Sequence, residues 1–192
     1  MKISCLIGSP REKSNSAAIA ARFTETAASL GAQVETVVLN DLAYRGCQGC
    51  MACKTVSEKC VLKDGLADVL ESLKLADIVV LATPVYCSDV PGQVKCFLDR
   101  TYSYMKPNYL SDSNPSRVPQ GKKFVFILTQ GAPLEDLFAD IPQRYTGFLK
   151  RSMGFGETYL LRGIGVGGGG AVGVPDPYLQ KAEELARELS KS

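Results

Sequence analysis

The chain alternates between two apolar patterns. "KISCLIG" (2–8) is a short unbroken apolar run closing on Gly8, and "SNSAAIAARFTETAASLG" (14–31) spaces Ile19, Phe23, Ala27 and Leu30 as one helical face, with Gly31 as a stop. That predicts a strand, a polar loop and a helix. "QVETVVL" (33–39) reads as a second strand, and "DGLADVLESLKLA" (64–76) puts Leu66, Val69, Leu70 and Leu73 on one face behind Asp64, an expected cap. "DIVVLATP" (77–84) is continuously apolar, as in a strand covered on both faces. "VPGQVKCFLDRTY" (90–102) predicts a helix with Pro91 near its first position. A strand at 122–131, a helix at 142–154, a strand at 157–166 and an amphipathic helix at 176–192 complete the series.

Five strands alternating with five helices predict an α/β architecture: a doubly wound parallel sheet with helices on both faces, in the flavodoxin-like strand order 2-1-3-4-5. A chain of 192 residues is expected to form a single domain over 1–192. One segment breaks the rhythm. Residues 103–121, rich in Pro, Ser, Asn and Asp, form a long connection that reads either as a functional flap or partner-contacting loop, or as a solvated excursion.

Charge adds little, because 22 Lys and Arg against 20 Asp and Glu give no argument for a nucleic-acid or polyphosphate partner. The first apolar run is too short for a signal peptide, and nothing approaches the roughly 20 apolar residues of a membrane span. The expectation is a soluble, cytoplasmic protein with no membrane partner. The absence of histidine excludes Ser-His and Cys-His pairs and any imidazole ligand.

In such a sheet, ligands sit at the carboxyl ends of the strands. The loop after the first strand, "GSPREKSNS" (8–16), leads into a helix whose N–H groups and dipole attract phosphate; Ser9, Ser14, Asn15 and Ser16 add hydrogen bonds and Arg11 adds charge. The plainer alternative is a helix cap, which needs only one such residue. The absence of a Walker A sequence disfavours a nucleoside triphosphatase and leaves a phosphate monoester such as FMN open. After the third strand, "TPVYCSDVPGQ" (83–93) supplies backbone amides and Tyr86 as an aromatic wall; "TQGAP" (129–133) ends the fourth strand.

These motifs, with the cysteine-rich stretch between them, resemble the NADPH-dependent FMN reductase family and, within it, the iron-sulfur flavoproteins. The resemblance is strongest over 5–16 and 76–100. It implies an FMN-binding flavodoxin-like protein with the phosphate at Ser9, Arg11 and Ser14 to Ser16. The isoalloxazine would lie against Pro84, Val85, Tyr86, Cys87 and Ser88, with Gln130 and Gly131 on its other flank. It further implies NAD(P)H as electron donor, a small-molecule or protein acceptor, and a homodimer or homotetramer.

"RGCQGCMACKTVSEKC" (45–60) carries Cys47, Cys50, Cys53 and Cys60 in the spacing C-x2-C-x2-C-x6-C, after the second strand and at the expected edge of those loops. It is too compact for two zinc-binding C-x2-C pairs and nearer the ferredoxin run that holds a [4Fe–4S] cluster, although the last gap is longer and Val61 replaces the following proline. Three readings stay open: an NAD(P)H-dependent flavin or quinone reductase, an electron carrier with a cluster on these four cysteines, and a non-enzymatic FMN-binding thiol sensor. Cys5 and Cys96 read as core residues, and Cys87 as a small packing residue or a flavin neighbour. The G-x-G-x-x-G at Gly163, Gly165 and Gly168 precedes the last helix by too many residues for a dinucleotide fingerprint and reads as a surface loop.

Overall fold

A computed structural model describes residues 1–167 and 173–191. Its strands are β1 (Lys2–Ile7), β2 (Gln33–Val38), β3 (Ile78–Pro84), β4 (Lys122–Thr129) and β5 (Phe155–Gly163). The helices are α1 (Asn15–Ser29), α2 (Ala52–Thr55), α3 (Leu66–Leu73), α4 (Gly92–Arg100), α5 (Asp140–Met153) and α6 (Asp176–Leu189). The strands form one parallel sheet ordered β2-β1-β3-β4-β5, the order expected from the sequence.

The central strands are apolar throughout because each face meets helices. Residues of alternate parity separate: Leu6, Val79, Leu81, Phe124, Phe126 and Leu128 pack with α3, α4 and α5. Ile3, Cys5, Ile7, Ile78, Val80, Val125 and Ile127 pack with α1 and α6. Cys5 is a core residue as expected, and burial pushes its thiol up to about 12.

Boundaries differ locally from the sequence reading. Asp64 does not sit at the N-cap of α3, which is Gly65; its Oδ1 still accepts from Leu66 N, so it caps one position early. Pro91, expected near the first position of α4, is its N-cap, and the helix tightens into a 3-10 turn over Thr101–Tyr104.

The 103–121 segment is neither a free flap nor wholly solvated. Tyr104, Met105, Ser116 and Val118 are buried, Met105 pairs with Ser116 in an antiparallel bridge, and Arg117 Nη1 donates to the Ser103 and Met105 carbonyls. Among the described residues, no helix is long and apolar enough to cross a membrane.

Candidate functional site

The strand order reverses between the adjacent parallel strands β1 and β3, whose following helices, α1 and α4, pack on opposite faces of the sheet and leave a crevice above the strands' carboxyl ends. Ile7 lies opposite both Val38 and Ala82, so the loop after β1 opens into that crevice. Gly8 begins it, donating from N–H to Ala82 O at 2.7 Å. A Cβ there would stand 2.2 Å from Val94 Cγ2, so only glycine lets the loop lie flush against α4. Gln93 Nε2 donates to the Gly8 carbonyl at 3.1 Å and ties the two elements together.

The loop then gathers hydroxyls at the start of α1. Ser9, Ser14 and Ser16 are buried. Ser9 Oγ accepts from Arg11 N, Ser14 Oγ accepts from Ala17 N as the N-cap, and the Ser14 and Ser16 hydroxyls lie 3.4 Å apart. The cap reading is therefore correct for Ser14, but one cap does not account for three buried serines. No acidic residue stands in the first turn, so no carboxylate there offsets the positive end of the helix, whose leading N–H groups have no intrahelical acceptor. The donor set fits a phosphate. Arg11 is exposed at its rim, and Asn15 Oδ1 accepts from Gly173 N, fastening the later glycine loop to this one.

Beyond β3 the chain makes a tight turn. Tyr86 and Asp89 exchange both backbone hydrogen bonds, at 2.7 and 3.0 Å, around Cys87 and Ser88, whose φ angles are 47° and 67°. Left-handed backbone at two successive residues is ordinarily left to Asn and Gly; without either, the strain is about 1–3 kcal/mol per residue. Asp89 holds the turn in place. Its carboxylate accepts from Val90 N (2.7 Å), Tyr145 OH (2.8 Å) and Arg144 Nη1 (3.1 Å). Burial works against its charge, but those three donors outweigh it and keep the carboxyl below the ordinary range. Cys87 and Ser88 are exposed at the tip, so the packing reading of Cys87 is corrected: the turn presents it outward. Pro84, Val85 and Tyr86 are half-buried behind it, with Val85 N bonded to Thr129 O.

The third loop is held by Gln130. Its Nε2 donates to Ala132 O and Leu134 O, while Oε1 accepts from Arg162 Nη2 at 2.7 Å and Nε at 3.2 Å. Every polar atom of this buried side chain is spent inside the protein, so it shapes the loop rather than offering a free hydrogen-bonding group. Gly131 is exposed and backs onto Gly167, where an added Cβ would come within 3.0 Å of Gly131 Cα. The first part of the glycine run is thus packed rather than a surface loop, with Val166 buried and bonded to Gln130 O; Gly168 lies outside the described residues.

The cysteine segment leaves the strand edge and runs along α4. Tyr44 OH donates to Gln93 O, Gly46 packs on Cys96 and the Arg45 carbonyl reaches Arg100. Cys96 is accordingly half-buried in this contact and not in the main core. Gly49 and Met51 take left-handed backbone, coiling the chain so that Cys47, Cys50, Cys53 and Cys60 line one small hollow with Arg100, Tyr102 and Ser103. The hollow lies by the C-terminal end of α4, about 10 Å along that helix from Gln93 and Gly8. It is beside the strand-end loops rather than level with them.

The cysteines in this hollow are free thiols. Among the described residues, no three Cys, His, Asp or Glu side chains converge tightly enough for a single metal ion. Four sulfur donors around one hollow match the donor set of an iron-sulfur cluster. Lys54 closes one side, with Nζ donating to Tyr102 O at 2.7 Å, 3.5 Å from Cys53 Sγ and 3.9 Å over the Tyr102 ring.

Sequence reasoning passed over Asp89, Gln93, Arg100, Arg144, Tyr145 and Arg162. Each acts on a residue more than 30 positions away, so no local pattern marks it.

Comparison with known proteins agrees with this arrangement. The family described as NADPH-dependent FMN reductase matches residues 1–140. An iron-sulfur flavoprotein of Methanosarcina thermophila is 31% identical over 109 residues, 57% of this chain and 56% of that protein. An FMN-dependent NADH:quinone oxidoreductase of Hydrogenovibrio crunogenus is 28% identical over 88 residues, 46% of this chain and 44% of that protein. The chain therefore spans about half the length of the curated relatives it matches. Among solved structures, an NAD(P)H:quinone oxidoreductase from Methanothermobacter marburgensis superposes with a TM-score of 0.72 at 21% identity, covering 99% of this chain and 95% of that one. That likeness shows the shared fold.

Proposed function

The chain belongs to the NADPH-dependent FMN reductase family, and on that premise we propose that it is an FMN-binding oxidoreductase that takes electrons from NAD(P)H and delivers them to a flavin or a quinone. The observation that carries the reading is the cluster of Ser9, Ser14 and Ser16 at the unopposed start of α1, in the crevice beside the Tyr86–Asp89 turn. FMN bound there would supply hydride acceptance and electron release. The chain's own part is to seat and orient it. The buried serines and first-turn amides would hold the phosphate, with Arg11 adding charge from the rim. Pro84 to Ser88 would support the ring on one side, and the loop braced by Gln130 would bring Gly131 to the other. A cytoplasmic setting agrees with the free thiols, and exposed Leu134, Leu137 and Phe148 are suited to homodimer or homotetramer contacts.

The test is anaerobic purification with quantification of released FMN, followed by reduction with NADPH and NADH in turn. One FMN per chain bleached by either nucleotide is expected. A protein that neither retains nor rebinds FMN would refute the reading.

A second reading has its own support, because all four cysteines of the compact run face one hollow. We propose that Cys47, Cys50, Cys53 and Cys60 are ligands for a [4Fe–4S] cluster, which would supply one-electron storage next to the flavin site. Iron and acid-labile sulfide near four per chain after anaerobic reconstitution are expected; chains that take up FMN but no iron would exclude it and leave the reductase reading standing.

A further inference from the structure

Arg100 is an unusual side chain for the end of an amphipathic helix. Its side chain is wholly buried, while Asp64, its ionic partner, retains some exposure. Nη1 donates to Asp64 Oδ2 at 2.8 Å and to the Arg45 carbonyl at 2.9 Å, and Nη2 donates to Asp64 Oδ1 at 3.2 Å. A guanidinium has five N–H donors in a rigid fork. Three are spent on the end facing Asp64 and Arg45. What remains is the other edge, Nε–H and the second hydrogen of Nη2, and Nε is buried without any partner. Leaving a buried, charged donor without an acceptor is costly, so a native site is expected to give it one.

The surroundings identify the acceptor. Arg100 lines the four-cysteine hollow together with Cys60. The Cys60 sulfur stands beside the guanidinium along with the Asp64 carboxylate. The elements packed around this group bring two further cations near the hollow, half-buried Lys54 at Cys53 and exposed Arg45 at the entry of the segment, whereas Arg100 is buried.

We propose that Arg100 directs its free Nε edge at the Cys60 sulfur, and that as a positioning residue acting through Cys60 it raises the reduction potential of a cluster held in this hollow. The inference rests on the cluster reading above. Its physical basis is general: a hydrogen bond and a positive charge at a ligating sulfur stabilise the more negative, reduced state, and Fe–S potentials respond to both. Asp64 fixes the fork and partly neutralises it, so the chain carries a buried cation at the site without leaving it unpaired.

The experiment uses the full chain, reconstituted anaerobically with iron and sulfide, with bound FMN per chain as the control for folding. Wild type is compared with Arg100→Lys, which keeps a cation beside Asp64 but has no Nε edge, and with the double variant Asp64→Asn/Arg100→Gln, which leaves no buried charge unpaired. Both are expected to bind wild-type amounts of FMN and iron. Both should show a more negative cluster midpoint, with the reduced-to-oxidised ratio at fixed potential falling by about tenfold, equivalent to about 59 mV for one electron. Iron-loaded variants with the wild-type midpoint would overturn the inference and leave Arg100 as a brace for Asp64. Wild-type chains that bind FMN but take up no iron would overturn the cluster reading and this inference together.

Discussion

At the scale of single residues, the turn over Tyr86–Asp89 shows how remote side chains stabilise strained backbone. Cys87 and Ser88 keep left-handed conformations because Asp89 is held by Val90, Arg144 and Tyr145. The two acids in this contact titrate at opposite ends of the pH scale. Asp89 has a folded pKa below its unfolded value, so its contribution is complete above the ordinary carboxylate pKa and disappears as pH falls through the depressed one. Tyr145, raised to about 12 by burial and by Asp89, contributes fully below the ordinary tyrosine pKa near 10 and loses that contribution as pH rises through its folded value. Urea midpoints measured across pH are therefore expected to lose stability below about 4 and above about 10. Asp89→Asn should flatten part of the acid limb, and an unchanged acid limb in that variant would remove Asp89 as a contributor.

Two more residues give sharp expectations. Arg11→Ala should weaken FMN binding by roughly tenfold with no change in stability, since the side chain is exposed and a charge-assisted contact is worth about 1.5 kcal/mol or more. Flavin fluorescence quenching on titration measures it; unchanged affinity would remove Arg11 from the phosphate site. Gln130→Ala should cost about 1–3 kcal/mol in urea unfolding, because it removes a buried side chain's hydrogen bonds to Arg162 and to the Ala132 and Leu134 carbonyls, and it should weaken FMN binding by loosening the loop. Weakened FMN binding at wild-type stability would instead show direct contact.

At the scale of elements, close approaches decide where glycine is required. Gly154 ends α5 with φ 70°, and a Cβ there would meet Pro119 O at 2.7 Å. Gly154→Ala should therefore destabilise by more than about 1 kcal/mol, read as a lowered urea midpoint, whereas Gly147→Ala, with open space around it, should not. The five strands and the helices other than α2 were legible from their apolar patterns, whereas α2, four residues with none buried, left no periodic signal. The ends were less legible: the Asp64 cap shifted by a residue because the same carboxylate also serves Arg100 and Arg45. The buried ends of the 103–121 connection were not legible for a related reason. Its Pro, Ser and Asn residues signal loop, but Tyr104, Met105 and Val118 find burial only against distant elements.

At the scale of the whole molecule, ligand binding and stability are linked. A ligand at 100 times its Kd stabilises the folded state by about 2.7 kcal/mol, and a chain of this size gains about 2–4 °C per kcal/mol. FMN is thus expected to raise Tm by roughly 5–11 °C at that saturation. Riboflavin at the same concentration should do much less, since it has no phosphate for the Ser9–Ser16 loop. Equal shifts for the two would displace the phosphate from that loop.

The sequence by itself determined the order of strands and helices, the parallel sheet and the three loops that open at its carboxyl edge. Those features follow from local periodicity and from the rule that ties ligand sites to strand ends. Spacing also marked the four cysteines as a group. Only the tertiary structure decided that Gln130 is a brace, that Cys87 stands outward on a strained turn, and that the cysteine hollow lies down the side of α4 with a buried arginine facing it. These outcomes depend on contacts such as Gln130 with Arg162, Asp89 with Tyr145 and Arg100 with Asp64, made across 32, 56 and 36 positions. A side chain's role there is set by what the fold brings to it, which no pattern of neighbouring residues encodes.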